Sequence, residues 1–99
     1  MSSVTTSTNG NQHTISINGR FDFSVQSDFR KAYEEVPSSS HFVVDFASTD
    51  YMDSSALGML LLLRDYAGGD NANVKLAQCG ADIKNIIEIS NFQKLFDVS

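Results

Sequence analysis

Apolar and polar residues alternate with two different periods along this chain, and each change of period marks a strand giving way to a helix or a helix to a strand. Val4 to Ser7 and Thr14 to Ile17 are short β-prone runs flanking Thr8-Asn9-Gly10-Asn11, where Asn-Gly suits the positive φ angles of a tight hairpin. After Gly19, Ser24 is placed to cap a helix whose apolar positions Val25, Phe29, Ala32 and Val36 recur near helical spacing, with Pro37 to end it. Ser38-Ser39-Ser40 is a small polar connector. The run Phe42-Val43-Val44-Asp45-Phe46 that follows predicts a central strand buried on both faces.

A polar loop from Ala47 to Asp53 leads into a second helix from Ser54 to Ala67, stopped by Gly68-Gly69. Val74 to Gln78 predicts another strand and Asp82 to Ile89 a third helix with Ile83, Ile86 and Ile87 on one side. Phe92 and Phe96 are spaced like core anchors, and Leu95 to Val98 reads as a last short strand. The order is ββαβαβα(β), without internal repeats. It predicts an α/β domain in which a mixed β-sheet is largely covered by packed helices.

Ninety-nine residues, 41% apolar and 19% charged, are expected to form one folded domain over residues 1–99. The longest apolar run, Met59 to Leu63, is far short of the roughly 18 residues that cross a bilayer, so membrane insertion is not expected. The first seven residues carry neither a basic patch nor an apolar stretch, which makes the cytoplasm the expected location. One cysteine, Cys79, has no disulfide partner and reads as a small buried hydrophobe at a strand end; with only His13 and His41 beside it, no metal site or cofactor is expected. A net charge of −5 without clustered cations disfavours nucleic acid.

The informative segment is Asp53-Ser54-Ser55, where a strand region has ended and the first backbone N–H groups of a helix lack partners. These side chains are ordinary caps, and a phosphate on a serine hydroxyl there would be favoured by the same donors and by the helix dipole. Ser54, Gly58 and Leu61 fall on the outward face at i, i+4 and i+7, while Ala56, Leu60, Leu63 and Ala67 face the sheet. Gly58 costs about 1 kcal/mol relative to Ala inside a helix. Either a partner approaches the backbone there, or the glycine lets the helix pack on its own sheet.

Tyr51-Met52-Asp53-Ser54-Ser55-Ala56-Leu57-Gly58, preceded by the strand Phe42 to Phe46, resembles the signature of the STAS domain found in bacterial anti-sigma factor antagonists. The similarity runs from about Ile15 to Phe96 and takes in Ile17-Asn18-Gly19-Arg20-Phe21-Asp22 and Ile89-Ser90-Asn91-Phe92. It implies a partner switch. Ser54, with Ser55 as second choice, would be phosphorylated by an anti-sigma factor that is also a serine kinase, and a protein phosphatase would reverse it. The unmodified chain would bind the anti-sigma factor through Asp22, Asp53, Ser54, Ser55, Gly58 and Leu61. Asp22 resembles an acidic position near the same end of the sheet in relatives, and is equally well placed as a turn carboxylate. The family glycine after the hydroxyls is Ala56 here. The C-terminal helix common in relatives has no counterpart up to Ser99, which leaves room for a homodimer.

Catalysis is not expected, because no G-x-S-x-G elbow surrounds Ser54 and the two histidines fall in a turn and at a strand start. Asp50 with Asp53, and Glu34 with Glu35, read as loop polarity and a solvated helix face. Two non-enzymatic readings remain: an anti-sigma factor antagonist, or a STAS adaptor subunit of a transporter or another signalling complex without a sigma target. The intact Asp53-Ser54-Ser55 favours the first.

Overall fold

The structure, a computed structural model, describes residues 2–99. The chain begins with a hairpin of β1 (Ser3–Asn9) and β2 (Gln12–Phe21), followed by α1 (Gln26–Glu34), β3 (His41–Asp45), β4 (Thr49–Met52), α2 (Ser54–Tyr66), β5 (Val74–Ala77), α3 (Ala81–Ile89) and β6 (Asp97–Val98). Asn9 pairs with Gln12, so the hairpin loop is Gly10-Asn11, and Gly10 supplies the positive φ of 62° that the turn needs.

The strands form one mixed sheet in the order β1-β2-β3-β5-β6, with β1 antiparallel to β2 and the other pairings parallel. Ten-residue β2 is the spine. Its first half pairs with β3 and its last three residues with β4, in the register Phe21↔Met52. Between β3 and β4 the chain jogs through a turn in which the Asp45 carboxylate accepts from Ala47 N–H at 2.9 Å and Phe46 O from Thr49 N–H at 3.1 Å. The polar loop expected over Ala47 to Asp53 therefore contains a strand. Thr49-Asp50-Tyr51-Met52 shows little apolar alternation because three of its four side chains are not buried.

Strand residues alternate between one buried face and one open face. Ile15, Ile17, Phe42, Val44, Val74 and Leu76 are buried in a single cluster with the inward residues of all three helices. Thr14, Ser16, Val43, Asp45 and Lys75, cross-strand neighbours on the other face, are half-buried or exposed. The helices thus cover one side, and the expectation that β3 is buried on both faces is corrected: its pattern alternates. Val43 is apolar without being core.

Two helix boundaries also move. The cap before the first helical turn is Asp22, whose carboxylate accepts from Ser24 N–H at 3.0 Å; Ser24 lies inside a one-turn 3-10 segment (Phe23–Val25) that leads into α1. Helix α1 ends at Glu34, so Val36 lies beyond it, where its carbonyl accepts from Tyr66 Oη at 2.7 Å. His13 is in β2 rather than in a turn. It is buried with Nε2 donating to Ala32 O at 2.7 Å, which leaves Nδ1 to meet Thr8 Oγ1 at 2.8 Å and tie the hairpin to α1. Cys79 lies two residues past β5 and is half-buried, its thiol pushed up by that burial.

Candidate functional site

Parallel pairing carries the C-terminal ends of β2 and β4 to the same end of the sheet. Since Phe21 pairs with Met52, the residues that follow, Asp22 and Asp53, leave neighbouring strands side by side. Both do the same local work. Asp53 has extended backbone angles and caps α2, its Oδ1 accepting from Ser55 N–H at 3.0 Å, Ala56 N–H at 3.4 Å and Ser55 Oγ–H at 2.5 Å. Asp22 Oδ1 accepts from Ser24 N–H at 3.0 Å and from Ser24 Oγ–H at 2.5 Å. Asp22-Phe23-Ser24 and Asp53-Ser54-Ser55 are therefore one motif used twice, an aspartate binding the serine two residues on, with the middle side chain left exposed.

That arrangement separates the two hydroxyls of the second motif. Ser55 is half-buried and its hydroxyl is engaged by Asp53, whereas Ser54 is exposed and its hydroxyl makes no hydrogen bond among the described residues. Ser54 stands in the first turn of α2, where unpaired N–H groups and the helix dipole favour negative charge. Neither imidazole is bonded to these serines: His13 meets Thr8 and Ala32, and His41 meets Asn73 at 3.0 Å.

Along α2, Ala56, Met59, Leu60 and Leu63 are buried, and Ala67 just beyond it is buried too. Gly58 is exposed, and a Cβ built there meets nothing within 4 Å. Its own sheet therefore does not require the glycine, which removes the packing explanation. Leu61 is 41% exposed and Leu62 54%, so the outward stripe Ser54-Gly58-Leu61 has a second apolar flank that the sequence pattern did not single out. A groove of about 440 Å³ between α1 and α2, lined by Phe29, Tyr33, Met59, Leu62 and Tyr66 among others, borders that flank.

Phe23 is a further residue the sequence reading missed. It is 69% exposed at the position matching Ser54 in the first motif. Its signal was available: an aromatic directly after a capping aspartate has no place in the apolar repeat of α1.

The surroundings are polarised. Arg20 Nε donates to Asp22 Oδ2 at 3.1 Å while its guanidinium lies 3.9 Å over the Tyr51 ring. The Ser24 hydroxyl and N–H, then Arg20, hold the Asp22 carboxyl below the usual aspartate range, and Asp22 in turn raises the Arg20 guanidinium. Asp50 and Asp82 border a second groove of about 510 Å³ between β4 and α3, floored by Met52, Ile83 and Ile86. No group of three or more His, Cys, Asp and Glu side chains that could hold a metal ion occurs among the described residues. No helix of the described residues is long and apolar enough to cross a membrane.

The sheet is covered by helices on one side, and its β2–β4 end presents an exposed serine on a capped helix start. The chain belongs to the STAS domain family, whose "Mlab, STAS domain" model matches residues 4–97. A STAS-domain containing protein of Pseudomonas aeruginosa (strain UCBPP-PA14) is 53% identical over 94 residues, covering 94% of this chain and 93% of that protein. Among solved structures, an anti-sigma factor antagonist from Mycobacterium paratuberculosis has a TM-score of 0.83 at 14% identity, covering 99% of this chain and 85% of its own. The Bacillus cell fate determinant SpoIIAA in its phosphorylated form gives 0.67 at 13% identity over 98% and 91%. A sulfate transporter family protein from Wolinella succinogenes gives 0.74 at 12% identity over 89% and 73%. The chain therefore has the fold of anti-sigma factor antagonists, a fold that a transporter family protein also carries.

Proposed function

We propose that this chain is an anti-sigma factor antagonist that works by partner switching and performs no catalysis of its own. The observation that carries the reading is the contrast at the start of α2: Asp53 and Ser55 are locked together as a cap, and Ser54 alone offers a free hydroxyl. In the unmodified state an anti-sigma factor sits on Ser54, Gly58 and Leu61, with Asp22 and Asp53 shaping the loops beside them. Phe23 and Leu62 widen the apolar contact. The partner is also the serine kinase, and a phosphatase restores the hydroxyl.

Phosphorylation of Ser54 adds about −1.5 to −2 charge at a helix start that already favours anions, so the fold tolerates it. The effect falls on the interface. A partner carboxylate about 5 Å from the phosphate costs on the order of 3 kcal/mol per unit charge at an effective dielectric near 20. That is roughly a hundredfold in affinity. The likeness to a transporter family protein favours the second reading, a STAS adaptor subunit, and one experiment separates the two. The chain is incubated with a candidate kinase and ATP, and the phosphate is mapped by mass spectrometry. Incorporation at Ser54, lost in Ser54→Ala, supports the switch; a chain that takes no phosphate and is recovered only with a transporter subunit supports the adaptor.

A further inference from the structure

All seven Lys and Arg and all twelve Asp and Glu of this chain lie at or beyond Arg20. Strand β1 and all of β2 before Arg20 therefore carry no formally charged side chain, on a molecule whose net charge is −5. Its outer strand β1, Ser3-Val4-Thr5-Thr6-Ser7-Thr8-Asn9, ends the strand order, pairs only with β2, and is exposed at every position except half-buried Val4. Edge strands are normally shielded by charges, prolines, bulges or brevity. This one has seven residues, no proline, no charge, and an unbroken one-to-one register with β2.

The hairpin fixes which backbone groups are free. Asn9 and Gln12 flank a two-residue loop and so form a hydrogen-bonded pair. Alternation from there gives Ser3, Thr5, Ser7 and Asn9 to β2 and turns the N–H and C=O of Val4, Thr6 and Thr8 outward.

We propose that this edge is a self-association surface, and that a second copy of the chain adds its own β1 antiparallel to it, with Thr6 opposite Thr6 on the two-fold axis and Val4 opposite Thr8. The register is self-complementary because the three outward residues are spaced evenly about Thr6, so each of their N–H and C=O groups finds a partner. Charge selects the second copy over other contacts between like chains, since the −5 molecules repel elsewhere and meet here without a charged side chain on either side. On the open face, Thr5 comes opposite Ser7 of the second copy, a hydroxyl pair of the kind that stabilises neighbouring strands. The two-fold axis points the two β2–β4 ends in opposite directions. Both Ser54 sites thus stay uncovered, which makes the dimer bivalent toward a partner.

The test is sedimentation velocity of the full chain over a concentration series with reductant present, which removes any contribution from Cys79. The wild type is expected to pass from monomer to dimer as concentration rises. Thr6→Lys places a charge on the axis, and Thr6→Pro deletes an N–H that β2 does not use; each is expected to weaken dimerisation at least tenfold with an unchanged far-UV spectrum. Ser39→Lys, the same charge on the exposed connector, leaves dimerisation unchanged. A wild type that stays monomeric to about 1 mM overturns the proposal, and so does a dimer indifferent to both Thr6 variants.

Discussion

Asp53→Ala removes the one side chain that holds the start of α2 closed. In the wild type its carboxylate accepts from two backbone N–H groups, at 3.0 and 3.4 Å, and from the Ser55 hydroxyl. Alanine leaves the Ser55 N–H and hydroxyl without the carboxylate at a half-buried position, while Ala56 N–H keeps the Asp53 backbone carbonyl at 3.1 Å. Loss of an N-cap side chain costs about 1 kcal/mol. Because α2 carries Ala56, Met59, Leu60 and Leu63 into the shared core, the cost reaches the whole fold rather than one frayed turn. For a domain of this length about 1 kcal/mol corresponds to a fall in Tm of about 4–8 °C, read by thermal unfolding followed with circular dichroism. Asp53→Asn keeps a side-chain oxygen in the same place and is expected to lose only a few tenths of a kcal/mol. A Tm unchanged in Asp53→Ala, or an equal fall in both variants, would show that the carboxylate is not acting as the cap.

Gly58→Ala meets no atom and gains about 1 kcal/mol of helix propensity, so its Tm rises by several degrees; if the partner lies against this backbone, the same variant binds it at least tenfold more weakly in a titration. Phe23→Ala leaves the unfolding free energy within about 0.5 kcal/mol of wild type, because the ring is mostly in solvent, and weakens partner affinity about tenfold or more. Unaltered affinity would remove Phe23 from the contact surface. The Asp22 carboxyl, held down by Ser24 and Arg20, is expected to titrate below the ordinary aspartate value of 3.8 when followed by carbon-detected NMR. Its folded-state value is depressed, so its contribution is complete above the unfolded value and disappears as pH falls through the folded one. A midpoint at or above 3.8 contradicts the hydrogen bonds to Ser24.

The residues that declared themselves in the sequence are those whose role is periodic. Phe29, Ala32, Leu60, Leu63, Ile83 and Ile87 are spaced for one helix face each, and all are buried. Outward Leu61 was legible for the same reason. What stayed hidden depends on pairing between distant segments. Strand β4 is a strand because β2 runs past the end of β3 and offers Gly19 to Phe21 as partners, a fact absent from Thr49-Asp50-Tyr51-Met52 itself. The open face of β3 was hidden likewise, since an apolar Val43 beside Val44 looks the same whether or not helices cover both sides. The candidate site was half legible. Asp53, Ser54 and Ser55 announced a helix start, but the division of labour between the two serines comes from hydroxyl geometry. The pairing of the motif at Asp22 with the one at Asp53 follows only from the register Phe21↔Met52, which gives exposed Phe23 the place in its motif that Ser54 has in the other.

The most direct test of the switch is quantitative capture of partners from an extract of the native cells, using the unmodified chain and the chain phosphorylated at Ser54 side by side. The unmodified form is expected to enrich an anti-sigma factor, and the phosphorylated form to lose it by about a hundredfold while its circular dichroism spectrum stays the same. Equal recovery of that partner by both forms, or loss of folded structure on phosphorylation, would contradict the account.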